Sequence, residues 1–158
     1  MNKVYLEEVI MIAIGSDHAG FDLKTEIIEY LSRKGIDCKD FGTCDCSSVD
    51  YPDFGQAVAE AVSNSEYERG IIICGTGLGI SIAANKVPGI RAALCTDSYM
   101  AKMSREHNDA NILALGARVI GLGLALDIVE TWLKTEFAGG KHQKRLDKIS
   151  LIEKKYQK

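Results

Sequence analysis

The chain has 158 residues, of which 46% are hydrophobic, 26% are charged and only two are prolines. These values predict a single globular domain over residues 1–158 and exclude a disordered chain. The formal net charge of −3 argues against a nucleic-acid-binding surface. No apolar run reaches the roughly 20 residues that a membrane-spanning helix needs. Residues 1–9 form a short extension whose two glutamates argue against a signal peptide.

Apolar runs and amphipathic stretches alternate along the chain, which is typical of strands alternating with helices. Glycine or proline stands near the ends of several of these segments, where it would terminate them. In chain order we predict strand 10–14, helix 21–34, strand 36–41, helix 53–63 capped by Asp53, strand 70–74, helix 80–86, strand 90–95, a helix from Thr96 or Asp97 to Arg105, strand 112–115, a helix over 122–137 and a charged helix over about 142–156.

Five strands interleaved with helices predict a three-layer α/β/α domain that is doubly wound and Rossmann-like, with a five-stranded parallel sheet and a C-terminal helix. In such sheets, ligands bind at the carboxyl ends of the strands. Chemically versatile residues follow four of the predicted strands, namely Asp17 and His18, then Cys74 to Gly79, then Asp97 and Ser98, and then Arg118. We therefore expect a binding site at this edge of the sheet.

The loop after the third strand begins with Cys74 and continues Gly-Thr-Gly-Leu-Gly to Gly79. Alternating glycines let the backbone approach a ligand closely, and the helix that follows directs its free N–H groups toward the loop. The loop lacks the third glycine of a dinucleotide-binding motif and the Gly-Lys-Ser/Thr of a P-loop. The pattern favours a small anion over a nucleotide, with no cofactor. A buried, purely structural Cys74 is the alternative at this point.

The remaining cysteines stand at positions 38, 44, 46 and 95. An odd total of five scattered cysteines favours reduced thiols and a cytoplasmic protein over a disulfide framework. Cys44 and Cys46 form a C-x-C pair, but no second pair follows at the spacing of a zinc site. We therefore predict no metal site.

Three further groups could bind or move protons on a small phosphorylated molecule. Asp17 and His18 lie at a strand-to-helix turn, where they could contact a ligand or where Ser16 or Asp17 could simply cap the helix. His107 ends a helix and suits proton transfer near neutral pH, or it could merely complement the helix dipole.

Cations form the third group. Lys141 and Arg145 lie one helical turn apart, which suits a phosphate but is also common on a solvated face. Arg118 lies between two apolar residues, where a cation usually has a partner. Together with the thiol and the glycine-rich loop, these groups suit proton abstraction next to a carbonyl.

At this point the sequence resembles ribose-5-phosphate isomerase type B, in the wider group that includes galactose-6-phosphate isomerase subunits. The resemblance extends from residue 12 to about residue 152. It depends on six motifs, namely 15–18 (GSDH), 50–52 (DYP), 74–86 (CGTGLGISIAANK), 104–111 (SREHNDAN), 116–121 (GARVIG) and 139–145 (GGKHQKR).

The resemblance implies an aldose–ketose isomerase that converts ribose 5-phosphate and ribulose 5-phosphate through an enediolate, without a metal. Cys74 would be the base, and His107 would open the furanose ring with help from Asp17. Thr76 would shuttle or donate a proton. The enediolate would be stabilised by the N–H groups of Gly75, Thr76, Gly77, Leu78 and Gly79.

The resemblance also implies how the substrate and the subunits are arranged. Besides Asp17, the sugar would contact Tyr51 and Asn108, and the phosphate would bind His18, Arg118, Lys141 and Arg145. The family forms homodimers, sometimes tetramers, and builds each site from two subunits. The alternatives are an isomerase of a six-carbon sugar phosphate, such as allose or galactose 6-phosphate, and a non-enzymatic sugar-phosphate-binding module.

Two positions bear on these expectations. Lys141 stands where the family often has arginine, which replaces a bidentate phosphate contact with a point charge. A second branch of the family uses a glutamate as the base at the position of Ile80. Since isoleucine cannot take a proton, the resemblance leaves Cys74 as the base.

Overall fold

A five-stranded parallel sheet in the order β2-β1-β3-β5-β4 forms the centre of the fold. The computed structural model describes residues 11–157, so the predicted extension 1–9 lies outside the described residues. The strands are β1 (Ile12–Ser16), β2 (Cys38–Asp40), β3 (Arg69–Cys74), β4 (Ala92–Leu94) and β5 (Ile112–Gly116). The predicted parallel, doubly wound α/β architecture is confirmed.

Helices cover both faces of the sheet. They are α1 (Phe21–Arg33), α2 (Tyr51–Ser63), α3 (Leu78–Ala84), α4 (Ser98–Glu106), α5 (Leu122–Lys134) and α6 (Lys141–Tyr156), and a 3-10 turn at His18–Gly20 precedes α1. Within residues 11–157, no helix has the length and apolar character needed to cross a membrane.

Alternation along β3 shows how the strands divide their side chains between the two faces. Ile71 and Ile73 pack in a core with residues of α1, α4 and α5. Ile72 and Cys74 point the other way, into a core with residues of α2 and α3. All of β3 is buried, as expected for a central parallel strand covered on both faces. Cys74 therefore ends a strand that is buried along its whole length.

The edge strands are shorter than predicted. Residues 36–41 and 90–95 were both expected to be extended, but β2 and β4 each have three residues. Apolar pattern marks burial, whereas a strand also needs a hydrogen-bonding partner, and an edge strand has one on only one side. The apolar residues at the two ends of these segments are buried or half-buried without lying in the strands.

Helix boundaries differ from the prediction at three places. Helix α2 begins at Tyr51 with Asp50 as its N-cap, so the prediction of Asp53 as the cap was wrong. Pro52 fits the first turn, because no intrahelical partner exists there for its missing N–H. Helix α3 spans 78–84 rather than 80–86, and α5 ends at Lys134, leaving Phe137 outside the helix.

The carboxyl ends of β3 and β5 are joined closely. Cys74 pairs with Gly116 in the parallel register. A Cβ at Gly116 would lie 2.6 Å from the Thr76 carbonyl oxygen and 3.0 Å from the Thr76 Cα, so only glycine fits under the loop. The N–H groups of Ala117 and Arg118 donate to the carbonyls of Cys74 and Gly75, both at 2.9 Å.

We predict that Gly116→Ala lowers the free energy of unfolding by about 1–3 kcal/mol, as overpacking does elsewhere. The matched control is Gly123→Ala on the exposed side of α5, where an added Cβ meets nothing within 4 Å. Since alanine favours a helix over glycine, the control should gain up to about 1 kcal/mol. Urea unfolding measures both, and equal midpoints would show that the Thr76 contact imposes no constraint.

Candidate active site

Cys74 lies at the centre of the candidate site. The side chain is 4% exposed, and its Sγ accepts the N–H of Gly77 at 3.1 Å. Gly77 is the N-cap of α3 and has φ = +78°, a conformation that favours glycine. A Cβ there would also lie 2.5 Å from Leu94 Cδ1. A backbone N–H at a helix start stabilises negative charge, so the fold places an anion-stabilising donor on this sulfur.

The other cysteines have different surroundings. All five cysteines are free thiols, and Cys44 and Cys46 are exposed. Burial raises the pKa of Cys95 to about 11, which keeps it a neutral thiol. The pKa of Cys38 is also raised, by burial and by neighbouring carboxylates. Within residues 11–157, no three His, Cys, Asp or Glu side chains cluster as they would to hold a metal ion.

Two backbone N–H groups of the glycine-rich loop already form hydrogen bonds within the loop and to Cys74. The Gly77 N–H is directed at Cys74, and the N–H of Leu78 donates to Thr76 Oγ1 at 3.3 Å. These two donors are therefore occupied in the structure. The Thr76 side chain is exposed at the surface of the loop, and Leu78 is 56% exposed.

Tyr51, the first residue of α2, packs against this loop at Gly79. A Cβ on Gly79 would lie 2.5–2.8 Å from atoms of the phenol ring, so the absence of a side chain makes room for Tyr51. The tyrosine keeps 40% of its surface exposed. Its ring can therefore contact both the loop and a ligand.

Asp17 lies next to the end of β3 and is 5% exposed. Its N–H donates to the Ile73 carbonyl at 3.2 Å, and its Oδ1 accepts the N–H groups of Ala19 and Gly20 at 3.0 and 3.1 Å. Of the two capping candidates, the structure thus selects Asp17 over Ser16. The cap also fixes where its carboxylate lies.

His18 is half-buried, and its Nδ1 accepts the N–H of Val49 at 3.2 Å. This bond assigns the proton of a neutral imidazole to Nε2, which becomes a donor available to an anion. Arg118 approaches the same region at Gly75. A Cβ built on Gly75 would lie 3.5 Å from both Cδ and Nη1 of Arg118, and 3.7 Å from the Cβ of Ala19 in the 3-10 turn. The side chain of Arg118 is exposed.

These residues form the carboxyl-edge group of the candidate site. The group comprises Asp17, His18, Tyr51, Cys74, Gly75, Thr76, Gly77, Leu78, Gly79 and Arg118. Four elements carry it, namely the 3-10 turn, α2, the β3–α3 loop and the end of β5. The structure therefore brings together the predicted base, loop, tyrosine and two of the predicted phosphate-binding residues.

His107 and Asn108 lie at the opposite edge of the sheet. They follow α4, whose nine residues extend about 13 Å back from the carboxyl end of β4. The next residues join the strand starts, since Asn111 accepts the N–H of Gly70 through its carbonyl at 2.9 Å and that of Arg91 through Oδ1 at 2.8 Å. Within one chain, His107 is therefore separated from the carboxyl-edge group.

Helix α6 begins beside His107. The imidazoles of His107 and His142 are stacked, with centroids 4.1 Å apart and planes 10° from parallel. Lys141 and Arg145 are exposed on the same two helical turns. We call His107, Asn108, Lys141, His142 and Arg145 the amino-edge group. Sequence reasoning assigned no role to His142; its position inside the 139–145 motif was the available signal.

Burial lowers the pKa of His142 below its ordinary value, and the positive charges of His107, Arg145 and Lys141 lower it further. Glu106 acts in the opposite direction. The imidazole of His142 is therefore neutral near pH 7.

The turn that carries Asn108 is fixed by Arg91, which donates to the carbonyls of Asn108 and Asp109.

A buried thiol beside a glycine-rich loop, at the carboxyl edge of a doubly wound sheet, fits the class of sugar-phosphate isomerases. The chain belongs to the Ribose/Galactose Isomerase family, whose profile matches residues 12–149. The predicted family is thereby confirmed.

Two relatives and one complex show how close the similarity is. The chain is 51% identical to ribose-5-phosphate isomerase B of Escherichia coli, over 91% of this chain and 97% of the relative. A solved structure of ribose-5-phosphate isomerase B from Clostridium thermocellum is 69% identical with a TM-score of 0.93, covering 94% and 100% of the two chains. That of Mycoplasma genitalium, with bound ribulose-5-phosphate, is 44% identical with a TM-score of 0.88 over 92% and 97%.

Proposed function

We propose that the protein interconverts ribose 5-phosphate and ribulose 5-phosphate, with Cys74 as the base. The observation that carries this proposal is the Cys74 sulfur, which accepts the Gly77 N–H at 3.1 Å at the edge where a doubly wound sheet binds its ligands. The relatives named for ribose 5-phosphate isomerisation support the choice of substrate.

In the proposed reaction, the Cys74 thiolate takes the proton from C2 of the open-chain aldose. The electron pair left on C2 forms the C1=C2 bond, and the former carbonyl oxygen becomes an oxyanion. The loop N–H groups that are not engaged internally stabilise this charge, and the hydroxyl of Thr76 moves a proton between O1 and O2. The thiol then returns its proton to C1, which leaves the ketone at C2.

Before that step, the furanose ring must open, because ribose 5-phosphate is a hemiacetal in solution. Opening removes the proton of the O1 hydroxyl and delivers a proton to the ring oxygen. An imidazole can do both near neutral pH, and we assign this role to His107, with Asp17 assisting. Tyr51 and Asn108 contact the sugar hydroxyls.

The phosphate is held by side chains from both groups. His18 donates from Nε2 and Arg118 adds a charge at the carboxyl edge, and Lys141 and Arg145 contribute from the amino-edge group. These cations are exposed or half-buried, so an anion can reach them. The phosphate anchors the substrate while its far end reacts at Cys74.

The separation of the two groups leads us to propose a homodimer with shared sites. His107 and Asn108 cannot reach Cys74 of their own chain, since α4 carries them to the other edge of the sheet. A two-fold symmetric pair would place the amino-edge group of one chain against the carboxyl-edge group of the other. Each dimer would then contain two complete sites. We also propose a cytoplasmic location, which the five free thiols support.

The substrate is tested by assaying the purified protein with ribose 5-phosphate, allose 6-phosphate and galactose 6-phosphate, each with and without a chelator. We expect turnover of the pentose phosphate to exceed that of both hexose phosphates and to persist with the chelator, since side chains carry every proton transfer and backbone N–H groups stabilise the oxyanion. Turnover of a hexose phosphate alone would contradict the proposed substrate. Loss of activity in the chelator would contradict the metal-free course.

Replacing the base should separate catalysis from binding. We expect Cys74→Ala to lower kcat by about 10²–10⁴-fold, the contribution typical of a general base. Binding of ribose 5-phosphate, measured by calorimetry, should persist because the phosphate contacts remain. The matched control is Cys95→Ala, which removes the other fully buried thiol and should leave kcat unchanged. Parental turnover in Cys74→Ala would exclude the thiol from the mechanism.

Shared sites predict complementation between two inactive chains. Cys74→Ala and His107→Ala chains carrying different affinity tags are co-expressed, and dimers with one chain of each are purified through both tags. One of their two sites combines an intact Cys74 with an intact His107, so about half of the parental activity should return. Dimers of two differently tagged Cys74→Ala chains are the control. An inactive mixed dimer would place the whole site within one chain.

A further inference from the structure

His142 has a defined geometry that the proposed reaction does not use. The residue is 8% exposed, and its ring lies parallel to that of His107 at 4.1 Å. Stacking at this distance covers one face of the His107 imidazole. It also limits rotation of that ring, because any large change of its plane would collide with His142.

The backbone around His142 is built to place it there. Gly139 and Gly140 have φ = +61° and +56°, values that L side chains rarely adopt, and they turn the chain sharply into α6. Just before them, the Ala138 N–H donates to the Glu106 carbonyl at 3.0 Å. This bond ties the start of α6 to the end of α4, next to His107.

The hydrogen bonding of the buried His142 ring is incomplete within the described part of the chain. The Nδ1 atom of His142 is buried and has no hydrogen-bond partner among residues 11–157. Burying a polar atom without a partner destabilises a protein, and an apolar side chain would fill the same space without that penalty. Packing alone therefore does not account for a histidine at this position.

Burial, together with the charges around the pair, keeps the His142 imidazole neutral. Lys141 and Arg145 face it from α6, and His107 and Glu106 face it from α4. Burial and the three cationic neighbours lower the pKa of His142, and Glu106 raises it. A neutral ring beside His107 does not repel the proton that His107 must carry during ring opening. A charged ring at the same distance would repel it.

We propose that His142 is a positioning residue that holds the His107 imidazole in the orientation needed to open the sugar ring. This inference rests on the proposed role of His107. It assigns to the histidine of the 139–145 motif a function in the first step of the reaction, separate from proton transfer at Cys74.

Ring opening can be measured without isomerisation. In a Cys74→Ala enzyme, ribose 5-phosphate labelled with ¹³C at C1 can open and reclose, which exchanges its two anomers. Magnetisation transfer between the anomeric signals gives the exchange rate. We expect the Cys74→Ala enzyme to accelerate this exchange and a further His107→Ala change to abolish the acceleration.

In the same background, His142→Leu should lower the exchange rate at least about tenfold, since misplaced catalytic groups commonly cost that much or more. His142→Phe keeps a flat ring against His107 and should retain most of the rate. Gln143→Ala is the control, because Gln143 is exposed and, among residues 11–157, its side chain bonds only to Asp147. Leucine and phenylalanine both fill the space, so the comparison separates ring geometry from packing.

The outcomes distinguish the positioning role of His142 from the ring-opening role of His107. Equal exchange rates in the leucine and phenylalanine variants would overturn the positioning role, while the role of His107 would stand if His107→Ala still abolishes exchange. Unchanged exchange in the His107→Ala enzyme would overturn both. Loss in His142→Leu with retention in His142→Phe would support the inference.

Discussion

The parallel pairing of β3 with β5 is the contact on which the candidate site depends. Its last pair joins Cys74 to Gly116, and the missing side chain of Gly116 lets the loop at Thr76 cross over the end of β5. Arg118 then bonds through its N–H to the Gly75 carbonyl. One close approach of backbones therefore fixes the thiol, the glycine-rich loop and a cation together.

Parallel topology also determines how the remaining residues are distributed. Each strand leaves the sheet at the carboxyl edge, and helices α1 to α4 each return the chain to the amino edge before the next strand. A residue at the end of such a helix, such as His107, is therefore far from one at the end of a strand, such as Cys74. In the proposed dimer, this feature of the fold becomes useful, because ring opening and enediolate chemistry come from different chains.

The sequence predicted the order of strands and helices and that Asp17, Cys74 and Arg118 meet at the carboxyl edge, because both follow from apolar periodicity and from one rule about parallel sheets. Tyr51 was expected at the site only from the family resemblance. The sequence did not predict that the amino-edge group is separate, since spacing along the chain does not show where a helix ends in space. The cap at Asp50 and the Nδ1 contact of His18 were also missed, because each depends on a loop that no periodic pattern describes.

The cations of α6 connect phosphate binding with the histidine pair. In the proposed reaction Lys141 and Arg145 bind the phosphate, and their charges also lower the pKa of His142. Where such cations surround two stacked imidazoles, a positive charge on His142 is unfavourable, because like charges lie close to it on several sides. Burial acts in the same direction as these charges, because it lowers the pKa of His142 and keeps that imidazole neutral. The half-buried ring of His107 is the one to which the proposed ring opening is assigned.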